Sequence, residues 1–265
     1  MLNKSFSVIF NDKIKNFNKT IEVDSDKSIS IRSFLIGAIS QNITKIKNVL
    51  ESDDVFATIS CLKKLGVKIK KIRAKEYEVY GKGLGSLHCK KNTLLNFYNS
   101  GTLARLLIGI LSTTPDIEVK ITGDNSLKKR NMSKIINLMN EFGAEFYPKD
   151  KKFLPLKLVS SELPIGIKYK AGVSAQLKSA VILAGTNSFG TTTIIEQKKS
   201  RDHTENMLLA SPKVIKIKKS KDKVIQIFGK NYLNSLKINV PGDTSAAAFY
   251  TALTILNKNS QLKIK

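Results

Sequence analysis

The sequence has no tryptophan, only two cysteines, and few acids for its bases: 21 Asp and Glu against 45 Lys and Arg. Each shortage excludes something. Cys61 and Cys89 are too few for a disulfide framework or a cysteine-built metal site, which points to a reducing cytoplasm. Cys61 falls inside an apolar helical pattern and reads as a buried thiol. No apolar run approaches the ~20 residues that span a bilayer. Met1 to Asp12 holds one short apolar patch, Phe6 to Phe10, and no small-residue cleavage pattern, so no secretory signal is read. A hydrophobic fraction of 42% over 265 residues still allows a sizeable core, in one large domain or two ordinary ones.

The shortage of acids leaves a formal charge of +24. Two function classes fit it: a nucleic-acid binder, or a site for small anions within a lysine-rich surface. The lysines are scattered, at Lys63, Lys64, Lys70, Lys71, Lys90, Lys91, Lys218 and Lys219, with no basic helix or arm. No helix-turn-helix, zinc-finger or RNA-binding signature accompanies them, so the balance favours small anions.

What is present is a repeat. A small-polar helix start followed by an apolar run occurs near Ser28, Ser100, Ser174 and Thr244, spaced roughly 70 residues apart. The runs Phe34 to Ile39, Leu103 to Leu111 and Leu177 to Ala184 are apolar on nearly every side, the mark of a buried helix. After each comes a strand (Thr44 to Leu50, Ile117 to Ile121, Thr191 to Glu196), then an amphipathic helix. It is opened by Ser52-Asp53-Asp54 in the first unit, marked by Met132, Ile135, Ile136, Met139 and Phe142 after a Gly123–Ser126 loop in the second, and opened by Ser200–Glu205 in the third. Two strands close each unit: Val67 to Ile72 with Tyr77 to Tyr80, Ala144 to Tyr147 with Leu156 to Val159, and Val214 to Ile217 with Val224 to Phe228. Phe6 to Phe10 and Ile21 to Val23 read as strands before the first unit. The fourth unit has its helix, Ala246 to Ile255, and a strand from Leu262; this unit is expected to be cut short, with an unpaired edge.

Seven blocks carry a resemblance: DKSISIR (26–32), LESDDV (50–55), NSGTLAR (99–105), TGDNSLKKR (122–130), SAQLKSA (174–180), SRDHTE (200–205) and PGDTSAAAF (241–249). In composition and order they resemble the enolpyruvyl transferases, and within them the branch acting on shikimate 3-phosphate. The resemblance implies an α+β fold, an α/β prism of two domains, each with three βαβαββ-type repeats around buried parallel helices. It places N-terminal strands of an incomplete domain at 1–25, a complete three-repeat domain at 26–240, and the start of the incomplete domain at 241–265. The chain would then be the N-terminal part of such an enzyme, a monomer at full length, and inactive alone.

The implied reaction transfers the enolpyruvyl group of phosphoenolpyruvate to the 5-hydroxyl of shikimate 3-phosphate and releases phosphate. It needs no metal and no cofactor, and no nucleic-acid or membrane partner. Helix starts suit such substrates, because free N–H groups and the helix dipole both favour anions. By position, Lys27, Ser28 and Arg32 match contacts to the substrates' phosphates and carboxylates, with Lys27 the catalytic candidate. Gly101 permits close approach of phosphoenolpyruvate, and Arg130 holds it. Ser174, Ala175 (through its backbone) and Gln176 match the stretch at the shikimate phosphate and between the substrates. Ser200 and Arg201 match further phosphate contacts. The family's principal catalytic carboxylate falls beyond this chain.

Plainer roles stand beside these. Ser28, Ser100 and Ser174 fit ordinary helix caps, and Lys27, Arg32 and Arg130 fit solvated charges. Gly101 fits a point of helix crowding, and His203 a helix-start residue. Arg105 fits a brace to Asp53 or Asp54. The sequence departs from the family pattern at Tyr98, where glycine is usual, at Asn131, where proline is usual, at Ile31, and at Asp24-Ser25. The branch acting on UDP-N-acetylglucosamine shares the fold but carries a reactive loop cysteine, which neither Cys61 nor Cys89 matches in placement.

Overall fold

The structure, a computed structural model, describes residues 14–219 and 221–265; the strand expected at Phe6 to Phe10 lies outside them. In chain order the elements are β1 (Asn18–Ile21), α1 (Lys27–Ile39), β2 (Gln41–Lys47), α2 (Asp53–Lys64), β3 (Lys68–Arg73), β4 (Glu76–Lys82), β5 (Thr93–Asn96), α3 (Gly101–Ser112), β6 (Glu118–Thr122), α4 (Asn125–Lys128) and α5 (Ser133–Glu141). They continue with β7 (Glu145–Tyr147), β8 (Leu156–Val159), β9 (Lys168–Ala171), α6 (Ala175–Thr186), β10 (Thr191–Glu196), α7 (His203–Leu208), β11 (Ile215–Lys219), β12 (Lys223–Phe228), β13 (Lys237–Asn239), α8 (Thr244–Leu256) and β14 (Gln261–Ile264). Contacts divide the chain into two compact units: Lys27–Val240, and a smaller one made of the two chain ends.

The larger unit is built as sequence periodicity dictates. Helices α1, α3 and α6 are buried around their whole circumference beyond the first turn. Several hydroxyls in or just past them are satisfied by a carbonyl one turn back: Ser33 on Ile29, Ser40 on Ile36 and Ser112 on Ile108. Helix α3 packs on both α1 and α6. The amphipathic helices α2, α5 and α7 bury one face only. Three four-stranded sheets complete the unit, ordered β13-β2-β4-β3, β5-β6-β8-β7 and β9-β10-β12-β11. Their lysines, such as Lys68, Lys70, Lys216 and Lys218, are exposed to water, where solvent and salt screen so basic a chain's like charges.

Each sheet contains a strand absent from the sequence reading. β5, β9 and β13 each lie parallel to the strand that follows a buried helix: β6, β10 and β2. β13 comes from the end of the third repeat and completes the sheet of the first, so the unit closes on itself. In the smaller unit, β1 pairs in parallel with β14, from Asn18 opposite Gln261 to Ile21 opposite Ile264. The strand expected at Ile21 to Val23 thus lies a few residues earlier. Helix α8 is capped by Asp243, whose carboxylate accepts from the Ser245 N–H at 2.7 Å, and none of its residues is buried.

Candidate active site

Three repeats place three equivalent helix starts; besides Lys27 at the very start of α1, each central helix carries one cation about a turn in, Arg32, Arg105 and Lys178. These three cations are handled differently. Arg32 on α1 is 3% exposed and spread over protein oxygens: Nε donates to Thr204 Oγ1 at 2.9 Å, Nη1 to the Ser28 carbonyl at 3.1 Å and Nη2 to Ser179 Oγ at 3.1 Å. Lys178 on α6 is wholly buried between Glu196 at 2.6 Å and Glu205 at 2.7 Å. Arg105 on α3 reaches no carboxylate within ion-pairing distance among the described residues, and its Nη1 donates to the Gly101 carbonyl at 3.0 Å. The expected brace to Asp53 or Asp54 is therefore absent. Asp54 pairs instead with Lys27, at 3.0 Å.

Arg130 joins Arg105. A Cβ on Gly101 would stand 2.8 Å from Arg130 Nη1 and 3.0 Å from Arg105 Nη1, so two guanidinium groups converge over a residue with no side chain. Burial, and then the neighbouring Arg130 charge, push the Arg105 pKa below its ordinary value. Arg130 is held from the other side, Nη2 donating to Asn99 Oδ1 at 2.8 Å. Two like charges facing one bare backbone position at a helix N-terminus form a site whose repulsion an anion would relieve.

Ser100 and Ser174 are N-caps, accepting from Leu103 N–H at 3.3 Å and Leu177 N–H at 3.4 Å, the plainer role expected of them. A capping hydroxyl spends a lone pair and keeps its proton. Among the described residues no protein group takes the Ser174 proton. Gln176 Nε2 donates to Thr102 Oγ1 at 3.0 Å and ties the starts of α6 and α3 together. Arg105 and Ser174 share a cavity of about 450 Å3 with Asn131, Ser133 and Lys134. Asn131, in place of the usual proline, accepts from the Ser133 N–H at 2.8 Å and so helps to start α5.

Ser28 lies inside the first turn of α1 rather than ahead of it. Ser200 donates both its N–H, at 2.9 Å, and its hydroxyl, at 2.7 Å, to Glu196 Oε1. Burial raises the Glu196 pKa, but the hydrogen bonds from Lys178 and Ser200 outweigh it and bring the carboxyl down to about 2. Hydrogen bonds thus join α1 to α7 and α6, α6 to α3, and α6 to the Ser200 loop. Ala175 is half-buried at the α6 start and Arg201 is exposed. Lys27 meets Asp54 alone among the ion pairs. His203 opens α7, as expected. Sequence reasoning passed over Lys178; a lysine in an otherwise apolar helix was the available signal, since a buried charge demands acids nearby.

Neither cysteine meets this site. Burial pushes the Cys61 thiol up to about 12, too far to yield a thiolate near neutrality. The sequence matches, over residues 11–265, the family described as EPSP synthase (3-phosphoshikimate 1-carboxyvinyltransferase).

The chain belongs to the EPSP synthase family.

Its relatives include the 3-phosphoshikimate 1-carboxyvinyltransferases of Bacillus subtilis strain 168, 39% identical over 257 residues, and of Caldicellulosiruptor bescii, 41% identical over 257 residues. Each alignment covers 96% of this chain and 58% of the relative, so the chain spans a little over half the length of these proteins. Among solved structures, the EPSP synthase of Acinetobacter baumannii superposes with a TM-score of 0.81 at 34% identity, over 94% of this chain and 55% of that one. The α+β architecture is therefore that of EPSP synthase. No described helix is long and apolar enough to cross a membrane.

Proposed function

We propose that this chain supplies one set of substrate contacts for enolpyruvyl transfer from phosphoenolpyruvate to shikimate 3-phosphate, in the cytoplasm, without a metal or cofactor. The observation that carries the reading is the pair of guanidinium groups over Gly101 with no carboxylate partner among the described residues. Arg130 and Arg105 take the anionic groups of phosphoenolpyruvate, and Gly101 leaves room for them. Ser174, the backbone of Ala175, Gln176, Ser200 and Arg201 take the shikimate phosphate and the space between the substrates. Lys27 and Ser28 complete the contacts to phosphate and carboxylate, and Arg32, buried on Thr204 and Ser179, would have to give up a protein oxygen to join them.

In the reaction, the 5-hydroxyl gives its proton to a carboxylate outside the residues named above as its oxygen bonds to C2 of phosphoenolpyruvate, while C3 gains a proton. C3 then loses a proton, the C2–O bond to phosphate breaks, and phosphate departs with the electron pair. The cations of this chain stabilise the charge that gathers on the leaving phosphate. Proton transfer at C3 is left to a carboxylate outside the residues assigned here. Binding without turnover is therefore expected. Amide NMR titrations with shikimate 3-phosphate and phosphoenolpyruvate should shift resonances at the starts of α3 and α6. The two substrates together should release no phosphate at an enzymatic rate. A chain that takes neither substrate overturns the binding role, and rapid phosphate release overturns the division of labour.

A further inference from the structure

Under the Ser200 loop lies a group of charges that the substrate contacts above do not use. Glu196 ends β10 with its side chain 1% exposed. One of its oxygens, Oε1, receives three donors: Lys178 Nζ at 2.6 Å, Ser200 N at 2.9 Å and Ser200 Oγ at 2.7 Å. Lys178 also holds Glu205 of α7 at 2.7 Å. Lys223, with 21% of its side chain exposed, stands 3.4 Å from both glutamates on the solvent side. As a stabilising device this is a poor choice, because well-packed apolar side chains of similar volume do as well or better. The arrangement does one thing an apolar cluster would not: it fixes both donors of Ser200.

We propose that Glu196, anchored by Lys178, is a positioning residue for Ser200, holding its hydroxyl ready for the phosphate of shikimate 3-phosphate. This rests on the binding role proposed above. A serine hydroxyl has one proton, and here Glu196 has it. The Ser200 N–H bond keeps the residue in place while the hydroxyl turns about its Cβ–Oγ bond from the carboxylate to a phosphate oxygen. Lys178 and the Ser200 N–H remain on Glu196 Oε1 throughout, so that oxygen keeps two donors when the hydroxyl leaves. A neutral ligand group competes poorly with a carboxylate for that proton, whereas a phosphate dianion competes well. The device therefore favours the phosphorylated substrate over shikimate itself.

The sign of one substitution separates positioning from simple electrostatics. Glu196→Gln removes a negative charge near a phosphate site, and Coulomb attraction alone would tighten phosphate binding. Positioning predicts the reverse. In amide NMR titrations of the full chain, Glu196→Gln and Ser200→Ala should each weaken shikimate 3-phosphate about tenfold, and the double variant no further, as expected for residues acting as one unit. Shikimate should bind all of them alike. Unchanged or tighter shikimate 3-phosphate binding by folded Glu196→Gln overturns the proposal, as do additive losses. Should Glu196→Gln fail to fold, Glu196→Asp keeps the charge but withdraws the oxygen, and it must show the same selective loss. A wild-type chain that takes neither ligand overturns the binding role itself, and this inference with it.

Discussion

Tyr98 stands where the family usually has glycine, and its φ of 48° supplies the reason: the backbone before the α3 start is left-handed. A side chain there costs about 1–2 kcal/mol. Part of this is offset, since glycine has more unfolded-state freedom to lose. Tyr98 is 53% exposed, so little buried area is lost with its side chain. Tyr98→Gly should therefore stabilise the chain by roughly 0.5–1 kcal/mol, read as a higher urea midpoint at unchanged slope. At Glu196, the folded pKa of about 2 lies below the ordinary carboxylate value, so its stability is present at neutral pH and lost as pH falls from about 4.5 toward 2. The shift is worth about 3 kcal/mol. Glu51, brought to about 2 by its bonds to Lys71 and Tyr77, adds to the same acid limb. Thermal melts should show Glu196→Gln less stable than wild type at pH 7 and losing less between pH 4.5 and 2.

At the scale of elements, the central and amphipathic helices were legible because a 3.6-residue apolar period survives over three turns. The leading strands were not. β5, β9 and β13 are four, four and three residues long, too short to display alternation, and β9 reads KYKA. The partner of β13 is β2, nearly the whole unit away in sequence, and no local signal announces such closure. The site was legible in part for the same reason. Helix starts such as Ser100 and Ser174 are local features, whereas the meeting of Arg105 with Arg130, and of Lys178 with Glu205, depends on how elements pack. The repeats also share a constraint at their far ends. A Cβ on Gly81 would lie 2.2 Å from the Ser40 carbonyl oxygen, and one on Gly229 would lie 1.8 Å from that of Ser188. Backbone cannot yield as a flexible side chain does. Gly229→Ala should cost about 3–4 kcal/mol, seen as a lower thermal midpoint.

For the whole molecule, stability resides in one unit. Among the described residues every buried apolar side chain, from Ile31 to Val240, belongs to the larger unit. Phe249, Ile255 and Leu256 of α8 are 80%, 78% and 84% exposed. A chain cut to residues 27–240 should therefore unfold in one cooperative transition with a midpoint close to that of the full chain, as scanning calorimetry would show. The net charge acts at this scale too: it resists association between copies of the chain through self-repulsion, while the exposed apolar side chains of α8 favour it.

The two thiols differ in environment, Cys61 sealed in the core and Cys89 half-buried. A maleimide dye at neutral pH should accordingly couple once per chain, at Cys89, and leave Cys61 untouched. The protein thus offers a single native attachment point for a fluorophore, and ligand binding becomes measurable by fluorescence anisotropy or quenching without an engineered cysteine.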